Sequence, residues 1–99
     1  MNEVLETKTF FEEYLASEPD EKEWIDKVKE QLKENLAIGK VLKYYWFREK
    51  RYGGNRLYFV INEKTKKAML ISYGSKKEQQ EMINAIISNM NYYLQFIRD

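Results

Sequence analysis

Between Tyr44 and Tyr73 the sequence holds three β-prone runs, and the turns between them are too short for the runs to do anything but pair with their neighbours. The first, Tyr44 to Arg51, is rich in aromatic residues. Tyr52-Gly53-Gly54-Asn55 follows it and is a strong hairpin signal, because glycine supplies the positive φ that tight turns require. Arg56-Leu57-Tyr58-Phe59-Val60-Ile61-Asn62 is the second run, Glu63 to Lys67 a lysine-rich turn, and Ala68 to Tyr73 the third. Strands joined this way form an antiparallel meander, and the rest of the chain must pack around it.

On either side the period changes from two to that of a helix. Val4 and Leu5 alternate with Glu3 and Glu6 as a short strand would. Thr9 and Glu12 have capping-box spacing, and Phe10, Phe11, Tyr14 and Leu15 fall on one side of a helix. Ser17-Glu18-Pro19-Asp20 then starts a second helix, with proline in the first turn and acids where the dipole favours them. Its apolar stripe is Trp24, Ile25, Val28, Leu32 and Leu36, and Gly39 is a plausible stop. After Gly74, Ser75 and Glu78 repeat the capping spacing, and Met82, Ile83, Ile86, Ile87, Met90, Tyr93, Leu94 and Ile97 mark a long amphipathic helix. The expectation is one α+β domain over residues 1–99: an N-terminal helical hairpin, a three- to four-stranded antiparallel sheet with helices on one face, and a long C-terminal helix. At 99 residues it should bury roughly two thirds of its unfolded surface.

Composition narrows the chemistry. With no cysteine, disulfides, zinc–thiolate sites and thiol catalysis are excluded; with no histidine, so are a His-based triad and a His general base. No metal site or cofactor is expected. The apolar runs are short of the ~20 residues of a membrane span, and the acidic N-terminus does not read as a signal peptide, so the expected setting is cytoplasmic, away from membranes. The net charge of +1 hides an asymmetry. Residues 1–36 carry eleven acids and five lysines, whereas residues 43–77 carry ten bases and two acids. A basic face attracts polyanions, nucleic acid above all, although lysine-rich turns can also be plain solvated surface.

Three features fall in the basic stretch. Strand alternation puts Arg56 with Tyr58 and Val60, and Leu57, Phe59 and Ile61 on the other side. With helices on one face, Arg56 stands on the open one, where its removal would scarcely affect stability. Lys76 and Lys77 sit in the first turn of a helix, where the dipole disfavours cations unless an anion binds. Arg48, Lys50 and Arg51 cluster by the Gly-Gly turn between Trp46 and Tyr52, a mixture of bases and aromatics that suits unstacked nucleotides. In each case an ordinary solvated side chain is the competing reading, and for Trp46 a place in the core. The acids of residues 1–36 occupy solvated helix positions, which argues against paired-carboxylate hydrolysis. Without His, Cys or metal, RNA phosphodiester cleavage is still accessible, because the 2′-hydroxyl is a built-in nucleophile that needs orientation, charge neutralisation and proton transfer.

Ile38-Gly39-Lys40-Val41-Leu42-Lys43, Trp46-Phe47-Arg48, Gly53-Gly54-Asn55-Arg56-Leu57-Tyr58-Phe59-Val60 and Tyr73-Gly74-Ser75-Lys76-Lys77-Glu78-Gln79-Gln80 together resemble the RelE/ParE superfamily of type II toxin–antitoxin toxins, above all its RelE/HigB branch of mRNA interferases. The resemblance implies a ribosome-dependent endoribonuclease toxin that cleaves mRNA, neutralised by a cognate antitoxin. It implies that Arg56 and Arg48 hold the phosphate and that Lys76 stabilises it or transfers a proton; Glu49, an acid within the basic stretch, is the candidate general base. Lys50, Arg51, Tyr52, Lys77 and Gln79 would bind RNA. Trp46 stands where the family often has glutamate, and no residue matches the C-terminal tyrosine or histidine of some members. Two alternatives accompany this reading: a non-catalytic interaction module or toxin relic on the same fold, and a ParE-like gyrase inhibitor. A homo-oligomer is left open.

Overall fold

The structure, a computed structural model, describes all 99 residues, Met1–Asp99. In chain order the elements are β1 (Glu3–Glu6), α1 (Lys8–Leu15), α2 (Pro19–Glu34), β2 (Lys40–Val41), β3 (Phe47–Tyr52), β4 (Asn55–Asn62) and β5 (Lys67–Ser75). A 3₁₀ turn (Lys76–Glu78), α3 (Gln79–Ser88) and α4 (Met90–Leu94) follow. The meander of β3, β4 and β5 is present as the turns require. Two short strands extend it to five, in the order β1-β5-β4-β3-β2. β1 runs parallel to β5, so the sheet is mixed.

The caps shift by a residue or two from the sequence expectation. Thr7, not Thr9, caps α1, its hydroxyl accepting from Phe10 N–H at 3.0 Å. Glu18, not Ser17, precedes α2, and its N–H donates to Glu21 Oε1 at 3.1 Å. The C-terminal helical segment bends at Asn89, where α3 gives way to α4.

Helices cover both faces of the sheet rather than one. Leu57, Phe59 and Ile61 pack with Phe10, Ile25, Val28 and Leu32 of the helical hairpin. Tyr58 and Val60 pack on the other side with Phe47, Met69, Ile86 and Ile97, under the C-terminal helices. That is why β4 is buried from Arg56 through Ile61 instead of alternating. Each fully buried side chain of this size contributes about 1.5–3 kcal/mol. The reading that left Arg56 and Tyr58 on an open face is thus overturned: they are 5% and 1% exposed. α3 is amphipathic and needs an apolar partner of its own, and the second face of the sheet is where it finds one.

β5 is not an open edge either. β1 pairs with Lys67–Leu70. Beyond it Thr7 takes over: its N–H donates to Leu70 O at 3.0 Å and its hydroxyl to Ile71 O at 2.7 Å. Glu13 of α1 then accepts from Tyr73 N–H at 3.0 Å and from the Ser72 hydroxyl at 3.1 Å. Here Phe59 pairs with Leu70 and Tyr58 with Ser72, so Ile71 is an extra, bulged residue. These side chains satisfy the groups that a strand-adding partner would use.

Candidate functional site

The basic stretch divides by parity. On β3, Glu49 and Arg51 share the face of Arg56 and Tyr58, because the ladder pairs Glu49 with Tyr58 and Arg51 with Arg56. Arg48, Lys50 and Tyr52 point to the helical hairpin. Arg48 is 4% exposed; its Nε donates to Tyr45 O at 2.8 Å and its guanidinium lies 4.5 Å from the Tyr45 ring centroid. Lys50 Nζ donates to Gln31 Oε1 at 3.1 Å. Tyr52 stacks on Trp24 at 5.1 Å, and its hydroxyl donates to Asp20. The expected convergence of Arg56, Arg48 and Lys76 on one exposed patch therefore does not occur. Arg48 is on the opposite face, and Arg56 is beneath the surface. Trp46 is a packing residue, stacked on Tyr44 at 4.9 Å and in contact with both apolar clusters.

What the structure does bring together is centred on Glu49, whose side chain is fully buried. Arg51 Nε donates to its Oε1 at 3.1 Å. Arg56 Nε lies 3.4 Å from the same oxygen, near enough for charge attraction but not aligned as a hydrogen bond. Gln79, the first residue of α3, donates to Oε2 at 3.1 Å. Arg56 is further held by Nη1 donating to Asn55 O at 3.1 Å. Lys76 N–H donates to Gly54 O at 2.8 Å, so the β3–β4 turn is stitched to the 3₁₀ turn, and Lys76 and Lys77 stand exposed above it around a shallow depression with Gly54 and Ser75. One buried carboxylate is thus held by two arginines and an amide. A buried carboxylate needs partners of this kind, since its desolvation is otherwise prohibitive.

Tyr58 is the residue that sequence reasoning missed. Its ring belongs to the apolar cluster with Phe47, but its hydroxyl is buried without a partner. Burial, and then the negative charge of Glu49, push its pKa up to about 12, with Arg56 offsetting a little. It is a neutral phenol at any physiological pH. The signal was the Glu49–Tyr58 pairing, which appears only once the β3–β4 register is known.

On the hairpin face a second polar network clamps α2 to the tip of the sheet. Asn55 Nδ2 donates to Glu21 Oε2 at 2.6 Å, and the Tyr73 hydroxyl donates to the same oxygen. The Tyr73 hydroxyl, followed by the Glu18 N–H and Asn55, holds the Glu21 carboxyl below its usual range. Because that pKa is lower folded than unfolded, the stabilisation is complete above the ordinary carboxylate range and is lost as pH falls through the folded value. Glu21→Gln is expected to cost about 1 kcal/mol near neutrality, discounted for partial exposure. The gap to wild type should close below about pH 4. Thermal melts across that range read it; a constant gap would show that charge is not the agent.

No group of three or more carboxylate, His or Cys side chains could hold a metal ion, and no helix is long and apolar enough to cross a membrane. No protein-family model matches the chain, and no curated protein does. Among solved structures it is similar to the isolated E. coli RelE toxin, with a TM-score of 0.67 and 15% identity over 87% of this chain and 99% of that one. It is also similar to an E. coli RelE double arginine-to-alanine mutant in complex with a peptide of the antitoxin RelBc, with a TM-score of 0.66 and 16% identity over 85% and 93% of the two chains. The chain has the RelE-like fold. The five-stranded sheet, the helical hairpin on one face and the C-terminal helices on the other are the features that define that class here.

Proposed function

We propose that this chain is the toxin of a type II toxin–antitoxin module and cleaves mRNA on the ribosome in the cytoplasm. The observation that carries the reading is the grouping of Arg51 and Arg56 on Glu49 at one end of a RelE-like sheet, with Lys76 and Lys77 exposed where the 3₁₀ turn is stitched to the adjoining β3–β4 turn. Lys76, Lys77 and Arg51 are the outward cations and bind RNA phosphates; Arg56 lies beneath them. Arg48, Lys50 and Tyr52, occupied on the hairpin face, drop out of the catalytic and RNA-binding set. Glu49 takes the proton of the 2′-hydroxyl once Gln79 releases it. The 2′-oxygen bonds to phosphorus, the bond to the 5′-oxygen breaks, and Lys76 protonates the leaving oxygen. The products are a 2′,3′-cyclic phosphate and a 5′-hydroxyl end. The RelE relative solved with an antitoxin peptide supports a partner of that kind for this chain.

A second reading, an interaction module without catalysis, is favoured by one observation: Glu49 and Arg56 are sealed from solvent. Induced expression with mapping of mRNA 5′ ends separates the two. New cleavage sites are expected, lost in Arg56→Ala and retained in Lys66→Ala at the far turn. Unimpaired growth without new ends would give the module reading the field.

A further inference from the structure

Buried hydroxyls almost always have a partner, and one that does not marks a place where something else belongs. Phenylalanine would fill the space of Tyr58 equally well and spare the chain the unpaired oxygen. Tyr58 lies directly opposite Glu49 on the ladder and two residues from Arg56 on the same face. Its pKa of about 12 makes it a neutral donor, unlike Arg56 close by. The helical segment's side-chain hydrogen bond to this cluster comes from Gln79, and breaking it frees an oxygen of Glu49, the residue paired with Tyr58 across the ladder.

We propose that Tyr58 is a further ligand-contact residue of this site: its hydroxyl donates to a non-bridging phosphate oxygen of the bound RNA once RNA displaces Gln79 from Glu49. The proposal rests on the RNA reading of the site. A neutral donor aimed at a phosphate gains strength as charge builds on the oxygens during attack, so its effect falls mainly on the rate rather than on binding.

The test is Tyr58→Phe in the full chain, read three ways: a thermal melt, mRNA cleavage in a purified translation system, and binding of a 2′-O-methyl RNA oligonucleotide that cannot be cleaved. The expected result is a melting midpoint unchanged or slightly raised, cleavage slowed by about 10- to 100-fold, and oligonucleotide binding weakened by only a few-fold. Equal cleavage by an active wild type and Tyr58→Phe would overturn the assignment while leaving the toxin reading intact. A large drop in the midpoint would also overturn it, because the hydroxyl would then have a structural partner. If wild type binds the oligonucleotide but does not cleave, a loss of binding in Tyr58→Phe supports the contact and removes the nuclease. If wild type neither binds nor cleaves, both readings fall.

Discussion

Arg56→Ala is expected to lower the unfolding free energy by about 2–4 kcal/mol and to slow RNA cleavage at least ~100-fold. An arginine on an exposed strand would cost under ~1 kcal/mol. This one is 5% exposed and lies 3.4 Å from a carboxylate that has no access to water. Removing it leaves Glu49 with Arg51 and Gln79 only, and opens a cavity under the β3–β4 turn. Removing one member of a buried pair costs more than removing both, because the survivor keeps its desolvation penalty. Arg56→Ala combined with Glu49→Ala should therefore be less destabilising than the sum of the single changes, by about 1–3 kcal/mol. Denaturant unfolding of the four members of that cycle measures it. Additive costs would mean that the two charges do not couple.

Gly39→Ala is expected to be similarly costly, about 2–4 kcal/mol, although it removes nothing. Gly39 has φ +82°, in the left-handed region. An added Cβ would also lie 2.7 Å from the backbone oxygen of Glu49 and 3.3 Å from Phe59 Cζ. Backbone cannot step aside as a flexible side chain can, so β2 must lift away from β3 at the residue that carries the buried carboxylate. Gly39→Asn distinguishes the two causes, since asparagine tolerates this φ far better than alanine yet has the same Cβ. Equal damage from both would assign the cost to the contact; a mild Gly39→Asn would assign it to the dihedral. Chemical denaturation reads both, and wild-type stability in Gly39→Ala would refute the close approach.

Much of the architecture was legible because its signals are local. Gly53-Gly54 with β-prone runs on either side specifies the β3–β4 hairpin, and Ile25, Val28 and Leu32 specify the buried stripe of α2. Gly39, expected as the stop of the second helix, instead stands beyond the Asn35 cap of α2 and directly before β2, and its close approach to β3 could not be read either. What could not be read was which side chains would meet across the sheet. Tyr45, Trp46 and Phe47 are consecutive aromatics, so alternation alone could not assign Arg48 and Glu49 to faces. The ladder does so, pairing Arg48 with Phe59 and Glu49 with Tyr58. The second covered face was hidden for a related reason. Tyr58 reads as an amphipathic residue fit for a surface, and only the docking of α3 makes it core. β1 and β2 were faint because strands of four and two residues carry almost no period.

The parallel pairing of β1 with β5 has a consequence for how the chain comes into being. Residues 1–36 are made first, yet their anchors are late: Glu3–Glu6 wait for Lys67–Leu70, Thr7 for Ile71, Glu13 for Ser72 and Tyr73, and Glu21 for Tyr73. At ordinary synthesis rates the gap is about 2–7 s, long compared with the microseconds in which a hairpin such as β3–β4 closes. The acidic helices therefore spend that interval undocked, their apolar stripes without the sheet that will cover them. The basic meander forms behind them, and the segment made ahead of it docks only once β5 is in place.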